Sequence, residues 1–87
     1  MSVLVVGMAH RSAPVALLER LSMDAEVQNG TASALVARPS LSEAMIISTC
    51  NRLEVYVVAN AFHAGVEDVL AVLTEVSGVA ELRRYLY

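Results

Sequence analysis

The sequence has no lysine and little charge of either sign, with charged residues at 17% of its 87 positions. Six arginines, Arg11, Arg20, Arg38, Arg52, Arg83 and Arg84, face nine carboxylates for a net charge of −3. Tight non-specific binding to nucleic acid needs clustered cations that displace counterions, so these scattered arginines offer no broad basic face. A polynucleotide partner would have to be held locally, or by parts of a larger protein. Cysteine occurs once, at Cys50, which excludes an internal disulfide. With one cysteine, two histidines and no ligand-spaced cluster, no metal site is expected. Long apolar runs are missing too. The stretch from Val3 to Ala9 is about seven residues, without basic residues before it, too short for a membrane span or a secretory signal. The expected compartment is the cytoplasm, where a lone thiol stays reduced. Gly7, Gly30, Gly65 and Gly78 are isolated from one another, so the fingerprint G-x-G-x-x-G is absent. No phosphate-cradling loop for a dinucleotide can be built from them.

What is present is apolar: 56% of the residues are hydrophobic. That composition argues against disorder and predicts one small globular domain with a thin core. A chain this short buries about 60 to 65% of the surface its unfolded form exposes.

The run Val3-Leu4-Val5-Val6-Gly7-Met8-Ala9 predicts a strand buried on both faces and central in a sheet. Ser12 can cap a following helix, and Pro14 suits a first turn, giving a helix from Pro14 to Leu21. Asp24 to Arg38 keeps partial helical spacing with a break expected at Asn29-Gly30, and Pro39 ends it. Ala44 to Thr49 and Glu54 to Ala59 predict two strands joined through Cys50-Asn51-Arg52-Leu53, a β-hairpin that places the thiol at a sheet end. Asn60 is expected to cap a helix whose apolar face is Phe62, Val66, Val69, Leu70, Leu73 and Val76, with Gly78 as its stop. Tyr85-Leu86-Tyr87 begins another strand, cut off at the chain end.

This order predicts an α+β fold, a ferredoxin-like split β-α-β sandwich. Its sheet is mainly antiparallel, its helices lie on one face and its last strand is truncated. With the usual right-handed crossover, the first two strands run parallel with the third between them, and His10 and Cys50 meet at one sheet end. Two helices in the first connection leave a reversed second strand as the alternative.

Cys50 has two readings. Free cysteines commonly pack as small buried hydrophobes. Against that, Ser48-Thr49-Cys50-Asn51-Arg52 is polar, sits at a hairpin tip, and brings a guanidinium that favours the reactive thiolate. Arg52 can equally be a solvated hairpin charge. Glu54 is expected in a cross-strand or surface pair, His10 as a turn residue and His63 at the surface. Tyr56, Tyr85 and Tyr87 are expected to pack rather than to stack on bases.

The segment Ser48-Thr49-Cys50-Asn51-Arg52-Leu53-Glu54-Val55-Tyr56 resembles the signature S-T-C-N-R-x-E-x-Y of glutamyl-tRNA reductases, with Leu53 where threonine is frequent. The opening Gly7-Met8-Ala9-His10-Arg11-Ser12-Ala13-Pro14-Val15 is similar to that family's G-x-x-H-[KR]-[ST]-A-P. The resemblance spans Val3 to Tyr87. It implies that residues 1–87 are an incomplete N-terminal catalytic domain, with NADPH-binding and dimerisation domains beyond residue 87. It implies Cys50 as the nucleophile that takes glutamate from glutamyl-tRNA(Glu) as a thioester, with Thr49, Cys50, Asn51 and Arg52 lining the substrate site. Reduction by NADPH then gives glutamate-1-semialdehyde for tetrapyrrole (haem) biosynthesis. A homodimer without membrane contact and handover of product to the next enzyme of the pathway are further implications. The rival reading is a non-catalytic ferredoxin-like binding or regulatory module with an idle or redox-sensing cysteine.

Overall fold

The computed structural model describes residues 2–9, 15–49 and 52–78. Its elements are β1 (Ser2–Ala9), α1 (Val15–Arg20), α2 (Ala25–Val36), β2 (Leu41–Ser48), β3 (Arg52–Ala59) and α3 (Phe62–Ser77). The sheet has the order β1-β3-β2, with β3 antiparallel to both neighbours. The outer strands therefore run parallel, as the crossover argument expects, and the fold is α+β. The truncated strand expected at Tyr85-Leu86-Tyr87 lies outside the described residues.

Alternation along the strands decides which face meets the helices. Leu4, Val6 and Met8 of β1, with Leu53, Val55, Val57 and Ala59 of β3, are buried against Leu18, Leu35, Val69, Val72 and Leu73 of the helices. The other face is open. Val3 and Val5 are 69% and 49% exposed, so β1 is not the doubly buried central strand its composition predicts. Among the described residues it is an edge, and β3 occupies the centre. A run of β-branched residues marks a strand but does not report how many faces are covered.

The helix over Ala25–Val36 is continuous through Asn29-Gly30, where a break is expected from sequence. Its start is well held: Asp24 Oδ1 accepts from the Val27 N–H at 2.9 Å, and Gln28 Nε2 donates to the Met23 carbonyl at 3.0 Å. A mid-helix glycine costs about 1 kcal/mol relative to alanine, whereas full burial of a leucine such as Leu35 contributes about 1.5–3 kcal/mol. Packing against the sheet therefore outweighs local propensity.

Two expectations for α3 are also corrected. The capping position is Ala61, without a side-chain hydrogen bond, while the Asn60 N–H donates to the Ser40 carbonyl at 3.0 Å. The buried face is Gly65, Val69, Val72, Leu73 and Ser77, rotated from the apolar stripe so that Phe62 and Val76 are 62% and 41% exposed. The cause is a close approach at Gly65. A Cβ there would sit 2.7 Å from Ala59 Cβ and 2.7 Å from Leu4 Cδ1. Gly78 ends the helix as expected, at φ 70° with its N–H on the Thr74 carbonyl at 2.8 Å. Polar ties complete the layer: Ser40 Oγ donates to Asp68 Oδ2 at 2.5 Å, and Arg20 Nη2 donates to the Ser77 carbonyl at 3.2 Å.

The two helical glycines should therefore respond oppositely to one methyl group. Gly65→Ala is expected to destabilise the domain by about 1–2 kcal/mol, overpacking exceeding the gain in helix propensity. Gly30→Ala, with nothing within 4 Å of the added Cβ, should stabilise by up to ~1 kcal/mol. Denaturant midpoints of both variants against the parent check this, and shifts of the same sign would contradict the packing described.

Candidate active site at one end of the sheet

Register fixes which residues share the hairpin end. Ala9 lies opposite Arg52 across β1 and β3, and Ser48 lies opposite Leu53 across β2 and β3. The C-terminal ends of the parallel outer strands thus meet the first two residues of the central one. His10, Cys50 and Asn51 lie outside the described residues, so their expected convergence is not described; their chain neighbours Ala9, Thr49 and Arg52 do converge.

The hairpin closes further than the sequence predicts. The Thr49 N–H donates to the Arg52 carbonyl at 2.9 Å, and the Arg52 N–H donates to Thr49 Oγ1 at 3.1 Å. Arg52 and Leu53, expected in the connection, are the opening of β3. The threonine hydroxyl supplies the acceptor that lets pairing continue, and Leu53, 2% exposed, is drawn into the core. The position where this sequence departs from the reductase signature is therefore a core position on the helix-covered face, away from the open face that carries Arg52 and Glu54. Ser48 also serves the helix side, its Oγ accepting from the Met23 N–H at 3.1 Å and tying the connection between α1 and α2 to the sheet.

On the open face, β3 presents Arg52, Glu54 and Tyr56 in line, because side chains two apart share a face. Arg52 Nη1 lies 3.5 Å from Glu54 Oε2, and the Tyr56 hydroxyl donates to Glu54 Oε1 at 3.0 Å. The Glu54 side chain is only 16% exposed, against 57% for Arg52. Sequence reasoning places Glu54 in a cross-strand or surface pair. The pair it makes with Arg52 runs along its own strand, a signal present in the alternation of R-x-E-x-Y. Tyr56 is expected from sequence to pack rather than to stack on bases, and its hydroxyl also makes a polar contact. Beyond it, a shallow depression of about 170 Å³ lies on the same face beside Val3, Met45 and Val58, away from the hairpin end.

His63 is exposed in the first turn of α3, its ring edge-on to Phe62 at 5.4 Å and 84°. Among the described residues no three His, Cys, Asp or Glu side chains gather as a metal cluster. No helix among them is long and apolar enough to cross a membrane.

Fold and site together define a small α+β domain that concentrates polar side chains at one end of an antiparallel sheet, where a hairpin connection carries the chain's one cysteine. The family model described as the N-terminal domain of glutamyl-tRNAGlu reductase matches residues 6–87. Over its whole length the chain is 72% identical to the glutamyl-tRNA reductase of Corynebacterium aurimucosum, of which it covers 19%. It is 70% identical to that of Corynebacterium diphtheriae and 48% identical to that of Salinispora tropica, covering all of this chain and 20% of each relative. The chain belongs to the glutamyl-tRNA reductase family, in its N-terminal domain, and spans 19–20% of the length of these relatives.

Proposed function

We propose that this chain is the N-terminal catalytic domain of an NADPH-dependent glutamyl-tRNA reductase, with Cys50 as the nucleophile. The observation that carries the reading is the sheet end at which Ala9, Thr49 and Arg52 converge, with Cys50-Asn51 as the connection between Thr49 and Arg52. In this reading the Cys50 thiolate attacks the ester carbonyl carbon of glutamyl-tRNA(Glu). A carbon–sulfur bond forms, the bond to the terminal ribose oxygen breaks, and the tRNA leaves as its hydroxyl after that oxygen takes a proton from water. Thiolate suits the step because it attacks esters well and leaves a thioester, which accepts hydride more readily than an ester or acid. Arg52 has the chemistry to hold the free carboxylate of the glutamyl group through paired hydrogen bonds. Its side chain is 57% exposed, which leaves it accessible. Thr49 and Asn51 offer a hydroxyl and an amide to the same group.

The described glycines do not fit a nicotinamide dinucleotide. Gly7 lies within β1, Gly30 within α2, Gly65 packs on Ala59, and Gly78 ends α3, so none of them lies in a loop able to cradle phosphate. NADPH, held by a domain beyond residue 87, would supply the hydride that converts the thioester into glutamate-1-semialdehyde, a precursor of tetrapyrroles. The relatives' fivefold greater length leaves room for such further domains, and the reading assigns homodimerisation to one of them. The proposal keeps the cytoplasm as compartment, where the thiol stays reduced, and includes product handover to the next enzyme of the pathway.

The test is the substrate requirement of the full-length polypeptide. Glutamyl-tRNA with NADPH should yield glutamate-1-semialdehyde, and free glutamate with NADPH should yield none. Semialdehyde from free glutamate, or none from glutamyl-tRNA, would overturn the reading and favour a non-catalytic module.

A further inference from the structure

We propose that Glu54 is a positioning residue: buttressed by Tyr56, it holds the Arg52 guanidinium where the substrate's carboxylate is to be received. This rests on the reading of Arg52 as the carboxylate partner, and the experiment below separates the two.

The open face of β3 carries a polar line in an apolar setting. Across the ladders, Glu54 is flanked by Gly7 and Ile47, and Tyr56 by Val5 and Met45. None of these cross-strand neighbours brings a charge, and Gly7 brings no side chain. A carboxylate with a side chain only 16% exposed on such a surface is costly unless its oxygens are partnered. Both oxygens of Glu54 meet a neighbour on its own strand. Oε1 accepts from the Tyr56 hydroxyl at 3.0 Å, which fixes the carboxylate plane, and Oε2 faces Arg52 Nη1 at 3.5 Å.

The asymmetry between the two ends of the pair points to the direction of control. Glu54 is anchored and largely covered, whereas Arg52 is mostly exposed at the sheet end beside Thr49. At 3.5 Å the contact is an ion pair and not a short hydrogen bond, so it restrains the guanidinium while engaging one face of one nitrogen. An arginine has five N–H donors in a fixed fork, which leaves donors for an incoming carboxylate. Free in solvent, such a side chain samples many rotamers, and binding would have to restrict them. Tethered to Glu54 it is restricted beforehand, the usual route by which a supporting residue improves placement of a ligand. Thr49 adds a second restraint at the backbone, its hydroxyl accepting from the Arg52 N–H at 3.1 Å. The side chain that meets substrate is thus held at both its root and its tip.

The experiment uses the full-length reductase with two probes, glutamyl-tRNA and the same tRNA charged with glutamine, whose amide lacks the charge. Glu54→Gln should raise KM for glutamyl-tRNA roughly tenfold with a smaller change in kcat, and should narrow discrimination against the glutaminyl form by a similar factor. Tyr56→Phe should move both quantities the same way by about twofold to threefold, and serves if Glu54→Gln fails to fold. In an Arg52→Ala background, Glu54→Gln should have no further effect on discrimination. Loss of discrimination in Arg52→Ala but not in Glu54→Gln or Tyr56→Phe would overturn the positioning role and leave Arg52 as carboxylate partner. Unchanged discrimination in Arg52→Ala would overturn both. A lower melting temperature with discrimination intact would make Glu54 a structural residue and refute the proposal.

Discussion

Replacing Cys50 by serine in the full-length reductase is expected to lower semialdehyde formation by roughly a thousandfold or more while tRNA affinity stays within about twofold. The asymmetry follows from what one sulfur atom does. It reacts with the ester but adds almost no contact area, whereas affinity for a polynucleotide comes from many phosphate contacts. A serine hydroxyl is un-ionised near neutral pH and needs an adjacent base to act as nucleophile. The described neighbours provide none. Thr49 and Arg52 are not bases, Ser48 Oγ is engaged with the Met23 N–H, and Glu54 is engaged with Tyr56 and Arg52. Single-turnover kinetics with tRNA binding measured separately checks both halves. Turnover near the parental rate in the serine variant would refute Cys50 as nucleophile.

The largest expected effect on stability comes from Leu73→Ala. Leu73 is fully buried in α3, in one cluster with Leu35, Val55, Val57 and Val69. Truncating it removes transfer energy and leaves a cavity, a loss of about 2–5 kcal/mol. A domain of this size has on the order of 4–13 kcal/mol in total, so the variant should be marginal or unfolded at 37 °C. Val76→Ala is the matched control: at 41% exposure it should cost at most about 0.5 kcal/mol. Chemical denaturation of the pair reports which face of α3 meets the sheet. Comparable losses would mean that the helix is rotated toward its sequence-predicted stripe.

The rotation of α3 shows where sequence reading runs out. An apolar stripe weighs side chains by hydrophobicity, yet the contact line here is set by the absence of a side chain at Gly65, beside Ala59. Small residues carry no weight in such a pattern although they decide how closely a helix can approach. The start of β2 was missed for a related reason: the register shifts between Leu41 and Glu43, which breaks the period-two alternation that marks a strand. Asn60 is a good capping residue by type, but its neighbour Ala61 occupies the cap. Conversely, the parallel outer strands around a central third were legible, because element order and the crossover preference together leave few arrangements. So was the stop at Gly78, since a left-handed residue after an apolar helix is a local requirement that glycine meets.

At the candidate site the sequence made Cys50, Thr49, Asn51 and Arg52 conspicuous as one polar motif. It gave less notice that Ser48 belongs to the helix-covered side and that Glu54 serves Arg52. Both follow from strand alternation once β3 is known to begin at Arg52. The earlier start depends on Thr49 closing the hairpin with its hydroxyl, a contact that composition does not announce.

The most direct measurement is the fate of labelled glutamate when the full-length reductase meets glutamyl-tRNA without NADPH. With no hydride donor to reduce it, one glutamyl group per active site should remain on the protein, stable to acid, released by hydroxylamine and mapped to the peptide containing Cys50. Cys50→Ser should carry no hydroxylamine-labile label. Label on a different residue, or an enzyme that traps no thioester without NADPH yet makes semialdehyde at the full rate once NADPH is added, would contradict Cys50 as the nucleophile.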